Sequence, residues 1–159
     1  MSRNVDAKRR GDPAARQFKL EHSPFFLMNQ TIAAYGFAME RALRAVGMDI
    51  PRWRVLMLAH ERGPISVGQI AEEAVIKLST VTKVVQRLRD EGLVLLRRSQ
   101  RDARVTEVEL TEAGGQAVVV IREAASRLYQ SAFRDLSAVE IERMNSMLRR
   151  VHRNLRNGG

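Results

Sequence analysis

The chain has 159 residues, enough for one domain with a substantial core, and carries 27 Lys and Arg against 18 Asp and Glu, a formal charge of +9. Such a surplus fits a polyanionic partner, either a nucleic acid or an anionic membrane face, and equally a basic surface that is merely solvated. The absence of cysteine excludes disulfides, thiolate metal sites and thiol redox sensing.

Residues 1–22 are polar and basic, with Arg3, Lys8, Arg9, Arg10, Arg16 and Lys19. They read as a flexible arm, with room for a short helix near Ala14. They hold no apolar run of the kind a signal peptide needs. No later segment reaches the roughly 20 apolar residues of a membrane span, and Ala117 to Ile121 is far too short. The expectation is a cytoplasmic protein with no membrane partner.

Ser23-Pro24 is a helix start, with Ser as N-cap and Pro at the first helical position. Apolar residues follow at helical spacing through Leu27, Ile32, Ala34, Phe37, Leu43 and Val46, and Gly47 fits the end. Pro51 opens a second helix with Trp53, Val55, Leu56 and Leu58, stopped by Gly63-Pro64. Ser66-Val67-Gly68-Gln69 is a capping box for a short third helix, and Ser79 is the expected cap of a fourth that ends at Gly92. The period then changes. Leu93 to Arg98 is an apolar run turning basic, and Thr106 to Leu110 alternates as a half-buried strand should. The arginine-rich stretch Ser99 to Arg104 between them has the length of a hairpin loop. Thr111 caps a fifth helix running to about Asp135, and Ser137-Ala138-Val139-Glu140 is a capping box for a sixth that runs through Leu155.

Four helices, a hairpin and two long helices describe a mainly α protein with a small β-hairpin wing, a winged helix-turn-helix. Its expected parts are a basic arm at 1–22, a dimerisation helix at 23–47, a DNA-binding lobe at 48–111 and C-terminal dimerisation helices at 112–157. Both terminal segments carry apolar faces that one small lobe cannot cover, so a second copy of the chain is the expected partner.

Around the fourth helix, Val81, Val84, Val85 and Leu88 share one arc, and Ser79, Thr82, Lys83, Gln86, Arg87 and Asp90 share the other. Short hydroxyls with an amide and cations suit a helix that enters the major groove of duplex DNA, though such a face also fits an ordinary surface helix. The loop adds Arg97, Arg98, Arg101 and Arg104 around Asp102. A guanidinium suits a narrow minor groove, whereas Asp102 beside phosphate is tolerable only as the partner that orients an arginine. Either Arg101 or Arg104 can be the contact, and a charged, solubilising hairpin tip is the plainer alternative. Thr80, beside Ser79, completes the candidate DNA-binding set.

The series Ser79-Thr80-Val81-Thr82-Lys83, Gly92-Leu93-Val94, Asp102-Ala103-Arg104 and Leu110-Thr111-Glu112-Ala113-Gly114 resembles the multiple-antibiotic-resistance regulator (MarR) family. The wing signature is Asp-x-Arg with Leu-Thr beyond five intervening residues. Pro51-Arg52-Trp53-Arg54-Val55-Leu56 resembles the family's second helix, and the likeness runs from about residue 24 to 155. Two positions depart from the pattern. Ala103 stands where the family often has arginine, and Leu95-Leu96 stand where a polar and a basic residue are common.

The resemblance implies a homodimeric, repressing transcription factor on a palindromic operator, with the first, fifth and sixth helices at the dimer interface. It further implies release by a small effector, an aromatic acid, a phenol or an aromatic acyl-CoA, bound between the dimerisation helices and the lobe. His22, Phe25, Phe26, Asn29, Tyr35, Trp53, Arg54, Met57 and His60 are the candidates for that pocket, although aromatic residues at helical spacing are commonly core. The three histidines lack metal-ligand spacing, and no Gly-rich phosphate loop or nucleophile elbow occurs, so neither cofactor, metal nor catalysis is expected. A basic structural protein associated with nucleic acid, without an effector, fits the charge but leaves the wing signature unexplained.

Overall fold

A computed structural model describes residues 9–158; the first part of the basic arm therefore lies outside the described residues. Of the rest of the arm, 9–11 are helical, a few residues before the helix expected near Ala14, 13–17 form turns, and Leu20–His22 form one turn of 3-10 helix. Six α-helices and three strands follow: α1 (Pro24–Arg44), α2 (Ile50–Arg62), β1 (Ile65–Ser66), α3 (Val67–Ala74), α4 (Leu78–Asp90), β2 (Val94–Arg98), β3 (Thr106–Leu110), α5 (Glu112–Ala132) and α6 (Ala138–Asn157).

Local chemistry sets most boundaries. Asp49 accepts from the Arg52 amide and starts α2, with Pro51 in its first turn. Ser66 with Gln69 and Ser137 with Glu140 form reciprocal capping boxes on α3 and α6. In the second, the Ser137 hydroxyl and amide hold the Glu140 carboxyl below its usual range. Two expected caps differ. Ser23 precedes α1 without a side-chain bond to it. Helix α4 begins two residues earlier than expected, with Lys77 rather than Ser79 at the N-cap and no side-chain cap, so Ser79 lies inside the first turn.

The strand Ile65–Ser66, unforeseen because two residues carry no period, pairs with β3, Ile65 facing Val108. The sheet is antiparallel in the order β1-β3-β2, with Val94 opposite Leu110 and Arg98 opposite Thr106 across the wing. Leu96 packs on the core while Leu95 is exposed, so alternation within β2 divides the unusual leucine pair between the two faces. The core runs from Met39 and Leu43 of α1, through Val55, Leu56 and Ile70, to Val81, Val85 and Leu88 of α4 and Val118 and Ile121 of α5.

Two junctions fix α4 within this frame. At its C-terminal end Gly92 takes a left-handed φ of 73°, as a helix stop requires. The Thr111 hydroxyl donates to the Gly92 carbonyl at 2.7 Å, and the Thr111 amide donates to the Leu93 carbonyl at 3.1 Å. The same hydroxyl accepts from the Gly114 amide and so caps α5. At the other end α3 turns into α4 through Val75, left-handed at φ 54° and 87% exposed. A β-branched residue is strained there. Helix α6 stands apart: none of its residues is buried, and no other element packs extensively against it.

Gly114 is required by this packing, because a Cβ there would lie 2.0 Å from the Leu93 carbonyl oxygen. Gly114→Ala should therefore destabilise the protein by about 3 kcal/mol, since backbone rather than a flexible side chain must give way. Urea denaturation at fixed protein concentration checks this, and an unchanged midpoint would contradict the close approach.

Candidate nucleic-acid interface

Of the candidate DNA-binding residues, Thr82, Gln86 and Arg104 line one groove of the lobe. Ser79, Thr80, Thr82 and Lys83 are exposed on α4, opposite its buried arc of Val81, Val85 and Leu88. Between α4 and the wing runs an open groove of about 430 Å³, whose walls include Ser66, Leu78, Thr82, Gln86, Arg104 and Thr106. It brings together residues from the start of α3, the reading face of α4 and the wing. The Thr82 hydroxyl donates to the Leu78 carbonyl at 2.9 Å, so this donor is engaged within the helix.

At the wing tip Asp102 orients Arg104. One carboxylate oxygen accepts from the Arg104 amide at 3.0 Å and from its Nε at 3.2 Å, and the other accepts from its Nη2 at 3.2 Å. Those bonds hold the Asp102 carboxyl below its usual range. The guanidinium is gripped on one edge yet its side chain is 91% exposed, a cation pre-oriented toward whatever lies outside. Arg101 and Arg98 are exposed without such a partner among the described residues. Ser99, whose amide donates to the Val105 carbonyl at 2.9 Å, closes the loop, and its hydroxyl accepts from the Arg101 amide. Of the two arginines left open by the sequence, Arg104 has the held geometry.

Arg87 is turned elsewhere. Its guanidinium lies 3.0 Å from Glu91 and 3.7 Å from Asp49, within the lobe's own carboxylates. Glu91 also pairs with the buried Arg52 of α2, whose Nη1 donates to the Gly47 carbonyl at 3.1 Å. Composition gives no hint of this ring, because it joins residues some 40 positions apart.

The candidate effector residues do not assemble as one set. Tyr35 and Trp53 meet with ring centroids 6.5 Å apart and wall an apolar cavity of about 280 Å³ with Met39, Leu128, Tyr129 and Phe133. The α5 residues were missed because nothing in a single helix's periodicity says which neighbour it meets. Burial raises the Tyr35 pKa, and the nearby charge of Arg54 partly offsets this. Arg54 donates to the Ala74 carbonyl at 3.1 Å, and Met57 packs on the core. His22, Asn29 and His60 are exposed, and Phe26 lies by Lys19, Leu20 and Glu21, outside the cavity. Among the described residues no cluster of His, Asp and Glu could hold a metal, and no helix is long and apolar enough to cross a membrane.

A helix pair with a polar reading face, beside a hairpin that holds out an arginine, defines a winged helix-turn-helix DNA-binding protein. Comparison with known proteins agrees. The model of the MarR family matches residues 48–106. The chain is 40% identical to the HTH-type transcriptional repressor IacR of Pseudomonas putida, over 91% of this chain and 86% of that one. Its fold is similar to a MarR-family regulator from Silicibacter pomeroyi (TM-score 0.78, 21% identity, covering 86% of this chain and 92% of that one). It is also similar to CouR from Rhodococcus jostii RHA1 bound to p-coumaroyl-CoA (TM-score 0.76, 20% identity, 84% and 94%). The chain belongs to the MarR family and is a DNA-binding transcriptional regulator, not an enzyme.

Arg104→Ala should cost about 1–3 kcal/mol of binding to a selected duplex if the held guanidinium makes a specific contact. Lys83→Ala should weaken all duplexes alike and lower the slope of log K against log salt by roughly one. Fluorescence anisotropy at several salt concentrations separates the two. Unchanged affinity in Arg104→Ala would transfer the wing contact to Arg101 or remove it.

Proposed function

We propose that the protein is a homodimeric repressor that occupies a palindromic operator and leaves it when a small aromatic acid, phenol or aromatic acyl-CoA enters the cavity beside Tyr35 and Trp53. The observation that carries the reading is the double use of α1 and α5. The two helices wall the apolar cavity and also present apolar side chains outward, among them Ile32, Phe37, Val119 and Val120. With Val139, Met147, Leu148 and Leu155 of α6 likewise exposed, the surface exceeds what an isolated soluble chain leaves bare. A second copy related by a two-fold axis covers it and sets two α4 helices about one DNA turn apart, roughly 34 Å.

The cavity suits one aromatic ring, near the small end of ligand pockets, about 300 Å³. Its wall is apolar, with Arg54 supplying positive charge beside Tyr35. Arg54 also ties α2 to the last turn of α3, so a carboxylate that engages it competes with a contact inside the lobe. Repression is favoured by the likeness to IacR, a repressor, and an aromatic thioester by CouR, whose bound ligand is p-coumaroyl-CoA. An effector acts only through different affinities for the DNA-bound and free arrangements.

Two measurements test this reading. Leu148→Glu with Leu155→Glu should give a monomer in sedimentation and lower operator affinity by about 100-fold or more, as two-site engagement is lost; a monomeric wild type would end the dimer reading. Trp53, the single tryptophan, should change its fluorescence on titration with benzoate- or cinnamate-type acids, phenols or aromatic acyl-CoA thioesters. Silence across that panel would leave constitutive binding or another ligand class.

A further inference from the structure

Leu78 is the one large apolar residue exposed on α4 among the described residues, at 56%. A lone surface leucine ordinarily needs no explanation. This one is the first residue of the reading helix, and it lines the groove with Thr82 and Gln86, one and two turns further on, and with Arg104 of the wing. It contributes nothing to the core cluster, and it lies away from the apolar faces of α1, α5 and α6. Beside it, Thr82 turns its hydroxyl back to the Leu78 carbonyl, so the hydroxyl is engaged within the helix and the threonine methyl is the group left without a polar role. Leu78 and Thr82, one turn apart, thus bring apolar groups to the groove wall on the otherwise polar exposed face of the helix.

In the major groove the one apolar feature of a base edge is the C5-methyl of thymine. We infer that Leu78, backed by the Thr82 methyl, is a specificity-determining residue that reads a thymine methyl in the operator. The inference rests on the DNA-binding reading and deepens it. An apolar contact excludes water from the methyl and adds nothing at cytosine, so it discriminates without a hydrogen bond.

The test starts from a duplex selected out of random-sequence DNA by the full-length protein. Each thymine is replaced in turn by deoxyuridine, which removes the methyl and keeps every hydrogen-bonding group. The wild type should lose about four-fold in affinity per substituted contact, the equivalent of about 0.8 kcal/mol for one buried methyl. Leu78→Ala should bind the unmodified duplex about as weakly as the wild type binds the uracil version. It should be indifferent to the swap at that position and keep the wild-type response elsewhere. Thermal unfolding should be unchanged because the side chain is exposed, and Leu78→Gln, of similar size but polar, gives the same readout should the alanine variant prove unstable. A wild type indifferent to every replacement, or a Leu78 variant that keeps the full response, overturns the inference while DNA binding stands. Failure to select any duplex overturns both.

Discussion

Arg52 is the one charged residue among the buried side chains described, and the placement of the reading helix depends on it. Its fork reaches in two directions, to the Gly47 carbonyl after α1 and to the carboxylate of Glu91 at the C-cap of α4. Asp49 caps α2 at the Arg52 amide and faces Arg87, and Arg87 returns to Glu91. The result is a closed ring of two cations and two anions joining the end of the first long helix to the end of the fourth. Such a ring is an expensive way to gain stability, because a buried guanidinium forfeits hydration and the Nε here has no hydrogen-bond partner. What it supplies is direction. An apolar contact tolerates sliding and rotation, whereas a planar fork with two acceptors fixes distance and angle together.

The constraint is one-sided. At its C-terminal end α4 is held by the ring, by Gly92 and by the bonds of Thr111 to the carbonyls of Gly92 and Leu93. Its N-terminal end enters through a strained Val75 and carries no side-chain cap, so its first amide groups stay open to solvent or phosphate. A helix anchored at the far end and unsatisfied at the near end suits a reader. The anchored end sets where the ridge points, and in the proposed complex the open end would meet the DNA. The wing is built alike, with Asp102 anchoring one edge of Arg104 while the other stays exposed.

Much of this was legible in the chain because it is encoded locally. The capping boxes at Ser66 and Ser137, the Thr111 cap, the period of Thr106–Leu110 and the Asp102–Arg104 pair all act over a few residues. What stayed hidden is nonlocal or marginal. The two-residue strand β1 exists only because Ile65 can pair with Val108, and the cavity needs Tyr129 and Phe133 of α5 brought to Tyr35 of α1. Placing the α4 cap at Ser79 was a two-residue error with a consequence, because it left Leu78 outside the helix. Ser79 is a good N-cap by type, but the turn at Val75 carries the chain into the helix earlier and places Lys77 at the cap. Arg87 was grouped with the DNA-facing residues because its angle on the helix is right; its exposed guanidinium also reaches Glu91, four residues on, and Asp49, which no helical pattern could foresee.

The arrangement of α1 and α5 gives a physical route from cavity to groove. Both helices contribute to the core that also holds α4, through Met39, Leu43, Val118 and Ile121, and close-packed cores shift between discrete arrangements rather than deform smoothly. Helix α2 lies between. Trp53 walls the cavity, Arg54 bonds the end of α3, and Arg52 bonds the end of α4. Three consecutive side chains thus touch the cavity, the helix before the reading helix, and the reading helix itself. A rotation of α2 about its own axis, driven by a ring wedged against Trp53, would move both polar ties at once. In the proposed dimer, the distance between two such lobes is the quantity an operator would sense, since half-sites one helical turn apart admit only one spacing. A small change at Trp53 therefore need not travel far: one helix of 13 residues spans the whole path.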